Sequence, residues 1–359
     1  MTPPPAAETD PAPTAFPAGP RNARVTRLAP SPTGALHLGN ARTFLINWAH
    51  ARQVGAAVRL RVDDLDTPRN KHGSVEQAVA DLAWLGLAHD GPVVRESDTP
   101  ELYTEALATL RTAGLTYRCP ATRKQIAAAA SAPHAGDAEP RYPGLYRPEN
   151  RPPPFDPAAP AAVRLRVPDG PVAFTDGFAG PQTFEVQRSV GDFLVATKAG
   201  PPAYQLAVVL DDAYAGVTDV VRGDDLLPST ARQIHVRRAL AAAGHRLPNG
   251  IAFRPDPAST PGADAAPAAA TPRWWHVPLV LGTDGRRLAK RHGAARVAAL
   301  REAGVPATRV VGLLAHLCGT LPAPAPLSAV TFATRFSWAR LPPGPVTLTP
   351  DHERWLYAR

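Results

Sequence analysis

The pattern of apolar and polar residues near the start of the chain predicts a strand, a helix and a second strand. The short apolar runs Val25–Ala29 and Ala57–Val62 are typical of buried strands. Between them, apolar residues recur at helical spacing from about Leu38 to Gln53. Residues 30–34 read Pro-Ser-Pro-Thr-Gly, and two prolines and a glycine exclude both a helix and a paired strand there. The pattern therefore predicts a β-α-β unit with a right-handed connection.

Cap and turn residues delimit the elements that follow. Ser74-x-x-Gln77 resembles a capping box, and Thr99, Pro100 and Gly114 delimit the next helix. Short runs broken by proline, aspartate and glycine predict a small, mostly antiparallel insertion over Val163–Thr197. Further predictions are a strand Val217–Val221, a helix capped by Ser229, a surface insertion over 252–272, a strand Val277–Leu281, a turn over 282–285, helices Ala294–Ala303 and Thr308–Cys318, and a proline-rich tail containing Trp338 and Trp355.

Composition narrows the class of protein only a little. The 359 residues suffice for one large domain or two. A net charge of +8 fits an anionic partner such as RNA. However, only four of the 39 basic residues are lysines, and biased codon usage gives the same arginine-rich, proline-rich composition. No run approaches the ~18 apolar residues that span a bilayer, which predicts a cytoplasmic protein without a membrane partner. Residues 1–22 have too little apolar content to pack and are expected to be a disordered tail.

The predicted start of the first helix has the properties of a phosphate site. Backbone N–H groups and the positive end of the helix dipole are expected at Leu38–Asn40. His37 immediately precedes them and can donate a hydrogen bond to a phosphoryl oxygen. Gly39 has no side chain, so a base or a phosphate could approach the backbone closely.

Two stretches resemble the signature motifs of class I aminoacyl-tRNA synthetases in their glutamyl form. Pro30-Ser-Pro-Thr-Gly followed by His37-Leu-Gly-Asn is similar to the HIGH motif, and Arg287-Leu-Ala-Lys-Arg is similar to the KMSKS loop. The segment 203–227, between the two, resembles the same family. The resemblance implies an α/β fold: a Rossmann-like class I synthetase catalytic domain with an inserted small α+β, antiparallel subdomain and a short helical C-terminal part.

The resemblance also implies roles for individual residues. His37 and Lys290 would be catalytic. Glutamate would be bound by Arg27, Ser31, Asp63, Tyr204 and Arg222, and ATP by Pro30, His37, Gly39, Asn40 and Lys290. A bidentate guanidinium matches a carboxylate, and Lys290, one of four lysines, suits a compact charge on the phosphates, with Mg²⁺ bridging.

Two positions depart from the family pattern. Most relatives have Glu where Asp63 stands, which shortens the reach to an ammonium group, and Asp64 or Asp66 could take its place. Ala289 stands at the middle serine of the KMSKS motif, which removes one possible hydrogen bond to the nucleotide.

A zinc site of the glutamyl-queuosine branch of the family is eroded in this sequence. That branch has Cys-x-Cys followed by Tyr-x-x-x-Cys, whereas this chain has Cys119, Ala121, Tyr142 and Tyr146 at the corresponding positions. Structural zinc needs four ligands, and at most two remain. We therefore expect no zinc and a knuckle held by packing.

The order of the motifs predicts a domain plan and a substrate. The expected parts are a tail (1–22), a catalytic domain in two halves (23–118 and 201–293), an inserted knuckle-like subdomain (119–200) and a helical C-terminal region (294–359). The 66 residues after Gly293 leave no room for the anticodon-binding region of a complete glutamyl-tRNA synthetase. The resemblance therefore implies L-glutamate, ATP and the anticodon stem-loop of tRNA(Asp), which carries queuosine, as partners.

Three alternatives remain open. One is a shortened glutamyl-tRNA synthetase that charges the 3′ end of tRNA(Glu). Another is a non-catalytic RNA-binding paralogue. A small-molecule adenylating ligase ranks last, because it would not need the segment around Arg222.

Overall fold

The structure, a computed structural model, describes residues 24–32, 34–129, 141–254, 269, 271–288 and 295–358. The predicted tail (1–22) and most of the predicted insertion over 252–272 lie outside this part of the chain. The strands are β1 (Val25–Leu28), β2 (Ala57–Val62), β3 (Val93–Arg95), β4 (Thr116–Cys119), β5 (Ala162–Leu165), β6 (Val172–Asp176), β7 (Gly180–Phe184), β8 (Leu194–Ala196), β9 (Asp219–Gly223), β10 (Arg273–Val277), β11 (Val280–Leu281) and β12 (Val346–Thr347). The helices are α1 (Leu38–Val54), α2 (Ser74–Trp84), α3 (Pro100–Thr112), α4 (Arg123–Ala129), α5 (Val186–Ser189), α6 (Tyr204–Tyr214), α7 (Leu227–Ala242), α8 (Val297–Glu302), α9 (Ala307–Leu317), α10 (Ala329–Arg335) and α11 (Pro350–Tyr357).

A five-stranded parallel sheet positions the site. Its strand order is β10-β9-β1-β2-β3, and every neighbouring pair runs parallel. Read from β3, this is the order 3-2-1-4-5 of a doubly wound nucleotide-binding sheet. The order reverses between β1 and β9, and ligands of such folds bind outside the carboxyl ends of the strands at that point. The predicted α/β, Rossmann-like fold is confirmed.

The predicted β-α-β unit is also confirmed. β1 pairs with β2 in parallel register from Val25–Ala57 to Leu28–Leu60. The connecting helix α1 ends at Gly55, whose φ of 66° is in the left-handed region that favours glycine, and the N–H of Gly55 donates to the carbonyl of Ala51.

The predicted antiparallel insertion is present as a three-stranded sheet and a hairpin. β4, β5 and β8 form one antiparallel sheet, and β6 and β7 pair separately. The hairpin lies against the edge strand β10, where the N–H of Gly177 donates to the carbonyl of Trp274 at 2.7 Å. A side chain at position 177 would overlap the indole of Trp275, so the approach requires glycine.

Two predicted strands were wrong in their limits. β9 begins at Asp219 rather than Val217, because its pairing with β1 and β10 starts there. The predicted strand Val277–Leu281 is two strands. Pro278 has no N–H, so β10 ends before it and β11 pairs with β12 instead.

Both predicted serine caps were wrong. Gly73, with φ of 74°, occupies the cap position of α2, and the Ser74 hydroxyl donates to the carbonyls of Lys71 and Pro32 at 2.6 Å. Helix α7 begins at Leu227, so Ser229 lies in its first turn and accepts a hydrogen bond from Gln205 at 3.1 Å.

The predicted proline-rich tail is folded. Phe332, Phe336, Leu348 and Leu356 are buried in the same apolar cluster as α1 and the central sheet. A second cluster joins α3, α6 and α7 with strands of the insertion. These clusters cross the boundaries expected from the sequence, so the domain plan remains a prediction.

Candidate active site

One cavity of about 930 Å³ opens at the carboxyl ends of β1 and β9. Of the ten site residues predicted from the sequence, nine line it. They are Arg27, Pro30, Ser31, His37, Gly39, Asn40, Asp63, Tyr204 and Arg222. The tenth, Lys290, lies outside the described residues, although Leu288, two positions earlier, lines the cavity. The cavity therefore collects residues that are almost 200 positions apart in sequence.

His37 is the N-cap of α1, and the first turns of this helix line the cavity. Its Nδ1 accepts a hydrogen bond from the N–H of Asn40 at 3.2 Å, and the Asn40 side chain accepts one from the N–H of His37 at 3.4 Å. The sequence predicted that the N–H groups of Leu38–Asn40 are available to a phosphate. This prediction is wrong for Asn40, whose N–H is hydrogen-bonded to His37. An added side chain at Gly39 would first meet the His37 ring at 3.0 Å, so this glycine makes room for the cap.

Arg27 belongs to a buried chain of alternating charges. Its Nε donates to Asp212 at 3.1 Å, and Asp212 also accepts from Arg61 at 2.7 Å. The Nε of Arg61 in turn donates to Asp63 at 2.7 Å. Burial alone would raise the pKa of Asp212. The charges of Arg27 and Arg61 outweigh burial, so the pKa of Asp212 lies below its ordinary value. The chain Arg27-Asp212-Arg61-Asp63 therefore holds two cations and two carboxylates against one wall of the cavity.

Only one acid of the run after β2 reaches the cavity. Asp63 lines it, whereas Asp64 accepts from the N–H of Ser97 at 2.9 Å and from its hydroxyl at 2.7 Å. Asp66 is exposed beside Arg69. The alternatives considered for Asp63 are thus engaged elsewhere.

Two further acids lie behind this wall. Burial, and then the charge of Asp63, raise the pKa of Glu96 to about 10. Burial raises the pKa of Asp211 to about 7, against the opposing charge of Arg61 and a hydrogen bond of 2.8 Å from the Tyr103 hydroxyl. Glu96 is therefore neutral at pH 7 and adds no negative charge to the wall.

Arg222 also lines the cavity, from β9, the strand paired with β1. It is buried, its Nε donates to His276 at 3.0 Å, and one terminal nitrogen donates to Thr230 at 2.7 Å and to Gln233 at 3.0 Å. The other terminal nitrogen, NH1, is buried without a hydrogen-bond partner among the described residues. Burial lowers the pKa of Arg222, and the phenol of Tyr204, at the first position of α6, opposes this shift through its charge and a side-chain hydrogen bond.

An ion pair closes one side of the cavity. Arg287, in the loop expected to resemble KMSKS, pairs with Asp225, which follows β9, and both residues line the cavity. The described part of that loop is therefore placed beside the pocket.

The knuckle with the eroded zinc motif is packed. Cys119, Ala121 and Tyr142 are buried together with Tyr117, and Tyr146 packs against them. The Tyr142 hydroxyl lies 3.4 Å from Sγ of Cys119 and accepts from the N–H of Tyr146 at 2.8 Å. No group of three or more His, Cys, Asp or Glu side chains in the described ranges could hold a metal ion. The absence of zinc stays a prediction.

Sequence reasoning missed Arg61, Asp212 and His276. Asp212 had a signal, since two adjacent acids interrupt the apolar run of α6, which is buried along most of its length. An acid in a buried helix needs a cationic or hydrogen-bonding partner. His276 had no comparable local signal.

The parallel sheet, the insertion after its third strand and the cavity lined by two buried arginines define the catalytic domain of a class I tRNA synthetase. The family model described as tRNA synthetases class I (E and Q), catalytic domain, matches residues 24–248. The glutamyl-Q tRNA(Asp) synthetase of Symbiobacterium thermophilum is 44% identical, over 90% of this chain and 96% of its own length. That of Rhodopirellula baltica is 41% identical, over 88% and 94%. The chain belongs to the glutamyl-Q tRNA(Asp) synthetase family.

Solved structures agree in fold. A glutamate tRNA ligase from Elizabethkingia meningosepticum, in complex with its amino acid, superposes with a TM-score of 0.71 at 22% identity, covering 93% of this chain and 68% of that one. In the described ranges no helix is long and apolar enough to cross a membrane.

Proposed function

We propose that the protein activates L-glutamate with ATP and transfers the glutamyl group to the queuosine of tRNA(Asp). The observation that carries this proposal is the placement of two buried arginines, Arg27 and Arg222, on the neighbouring strands β1 and β9, where both line one cavity at the reversal of strand order. Glutamate has two carboxylates and one ammonium, and two guanidinium groups match the carboxylates. Relatives named glutamyl-Q tRNA(Asp) synthetases align with 90% of the chain at 39–44% identity.

Other residues that line the same cavity would make the remaining contacts with glutamate. Asp63 and the hydroxyl of Tyr204 would receive the substrate ammonium, and Ser31 would donate to a carboxylate. Because Asp63 is paired with Arg61 at 2.7 Å, its carboxylate is held in one orientation for this contact.

In the first reaction a carboxylate oxygen of glutamate attacks the α-phosphorus of ATP. The bond from phosphorus to the bridging oxygen breaks, so glutamyl-adenylate forms and pyrophosphate leaves. The carboxylate is already a nucleophile and needs no general base. The protein's contribution would be alignment and charge stabilisation, from His37 and the start of α1 and from Lys290.

The nucleotide would lie along Pro30, Gly39 and Asn40. Mg²⁺ suits this chemistry, and it is usually held by substrate phosphates and water with one or two carboxylates. We expect it to be bound together with the phosphates of the nucleotide.

In the second reaction a hydroxyl of the queuosine cyclopentenediol attacks the activated carbonyl, and AMP leaves. The acceptor is the finer part of the proposal, and it is supported by the names of the relatives. The competing acceptor is the 3′ end of tRNA(Glu).

The test has two stages. Glutamate-dependent ATP–pyrophosphate exchange without tRNA tests activation. Transfer of labelled glutamate is then measured to tRNA(Asp) with queuosine, to tRNA(Asp) with the unmodified guanine, and to tRNA(Glu). We expect transfer to the first only. Transfer to tRNA(Glu) would establish the shortened glutamyl-tRNA synthetase instead, and no exchange at all would favour the non-catalytic paralogue.

Lys290 is tested by the same exchange reaction. Removing one charge-stabilising group of this kind costs on the order of 10²–10³ in rate. We expect Lys290→Ala to abolish exchange with an unchanged circular dichroism spectrum, and the exposed Lys124→Ala to keep it. Normal exchange in Lys290→Ala would exclude the role.

A further inference from the structure

A buried hydrogen-bond relay connects the inserted hairpin with the cavity. Asp176, the last residue of β6, contacts His276 of β10, and His276 contacts Arg222 of β9. Asp176 is 2% exposed, His276 1% and Arg222 5%. None of these contacts is local, since Asp176 and His276 are 100 residues apart in sequence.

The chemistry of the relay selects one tautomer of His276. An arginine Nε always carries a proton, so the imidazole Nε2, 3.0 Å away, must accept. The ring proton then lies on Nδ1 and is donated to Asp176 Oδ2 at 2.6 Å. Burial, together with the charge of Arg222, lowers the pKa of His276 against the opposing effect of Asp176, in agreement with a neutral ring.

Asp176 is itself fixed in place. Its Oδ1 accepts from the N–H groups of Ala179, Phe178 and His276, at 2.8, 3.0 and 3.2 Å. Because these donors hold the carboxylate, Asp176 can orient the histidine ring rather than follow it.

The relay also determines what Arg222 can offer to a ligand. Nε is bonded to His276 and NH2 to Thr230 and Gln233, so these contacts fix the plane of the guanidinium, and the Tyr204 phenol, which also lines the cavity, acts on it through its charge and a hydrogen bond.

We propose that Asp176 and His276 are positioning residues for substrate binding, which hold the Arg222 guanidinium at the cavity wall in the orientation that the carboxylate of the substrate requires. This inference rests on the proposed function, because it takes the carboxylate to be that of glutamate. It also gives the β6–β7 hairpin a role in the amino-acid pocket.

The test is Asp176→Asn, which keeps the shape of the side chain. Its amide nitrogen donates toward Nδ1, so the ring proton moves to Nε2 and opposes the Arg222 Nε–H. Loss of a hydrogen bond to a charged group corresponds to about tenfold to a hundredfold in affinity. We expect the KM for glutamate in pyrophosphate exchange to rise by that factor, and the KM for ATP to change by less than about threefold.

Three further variants separate positioning from mere stability. Asp192→Asn removes another buried carboxylate of the insertion, one that accepts from the Tyr117 hydroxyl at 2.6 Å and does not contact Arg222. It should lower the melting temperature without a selective change in the KM for glutamate. His276→Gln retains an acceptor near the position of Nε2 and His276→Phe does not, so the KM for glutamate should increase in the order wild type, His276→Gln, His276→Phe.

The tautomer of His276 can be measured independently of enzyme activity, from imidazole ¹⁵N spectra of the wild type and Asp176→Asn. The signals of His276 are assigned as those lost in His276→Phe. A proton on Nε2 in the wild type, or an unchanged KM for glutamate in Asp176→Asn, would overturn the inference. Absence of glutamate-dependent exchange in the wild type would instead overturn the proposed function.

Discussion

Arg27 and Asp212 form a buried ion pair across 185 positions of sequence, with Nε of Arg27 3.1 Å from a carboxylate oxygen of Asp212. The same carboxylate accepts from Arg61 at 2.7 Å. Asp212 therefore offsets two cations, and it holds Nε of Arg27 in place. A substrate carboxylate would meet a guanidinium that is already oriented.

Asp212→Asn should weaken both binding and folding. Two buried guanidinium groups would share a neutral amide, and breaking a buried ion pair from one side costs about 3–5 kcal/mol, less when an acceptor oxygen remains. We expect a loss of about 2–4 kcal/mol in the free energy of unfolding, measured with urea, and a raised KM for glutamate. The exposed Asp351→Asn is the control. Wild-type stability in Asp212→Asn would contradict the proposed charge balance.

The raised pKa of Glu96 predicts that the folded protein loses stability at alkaline pH. Burial, then the charge of Asp63, raise its pKa to about 10, so the folded protein keeps a proton that the unfolded chain has released. Stability falls with rising pH wherever the native state binds more protons, by at most about 1.4 kcal/mol per pH unit for one proton. Between about pH 7.5 and 9.5, the unfolding free energy of the wild type should fall and that of Glu96→Gln should fall less. The exposed Glu101→Gln should follow the wild type; equal slopes for wild type and Glu96→Gln would refute the assignment.

Local sequence patterns were sufficient to predict the strands and the helix of the β-α-β unit beside the cavity. The turn of Pro30 and Pro32, the helical spacing after Leu38 and the apolar run of β2 predicted the β-α-β unit within one or two residues. The resemblance then named ten site residues, and nine of them lie around one cavity. Their individual roles stay predictions until the variants are measured.

The misses have physical causes of two kinds. Pro278 splits a predicted strand and Gly73 takes over a predicted serine cap, and both residues are local signals that the sequence contains. By contrast, the pairing of Asp212 with Arg61 and of Asp176 with His276 depends on how distant elements are packed. No periodicity or spacing along the chain encodes such pairs, which become visible only in the folded molecule.

His37 has two roles that substitution can separate. Its Nδ1 caps α1 by accepting from the N–H of Asn40, so the ring proton lies on Nε2, the donor that a phosphate needs. His37→Ala should lose the cap at a cost of about 0.5–2 kcal/mol, whereas His37→Asn should keep it, because asparagine is a favoured cap residue. Both should lower the rate of pyrophosphate exchange by about 10²–10³. If His37→Asn exchanged at the wild-type rate, the ring would be only a cap.

Gly312 tests the packing of the C-terminal region. A methyl group there would overlap the carbonyl of Ala325, although alanine is the better helix former in the middle of α9. Because the obstacle is backbone, the overlap should prevail, and Gly312→Ala should lower the free energy of unfolding by about 1–3 kcal/mol. Gly344 is the matched control, since nothing lies within 4 Å of an added methyl group there. Gly344→Ala should change stability by less than about 0.5 kcal/mol. Equal urea midpoints for the two variants would show that the segment around Ala325 does not pack on α9, and that the C-terminal region contributes less to the core than its buried phenylalanines indicate.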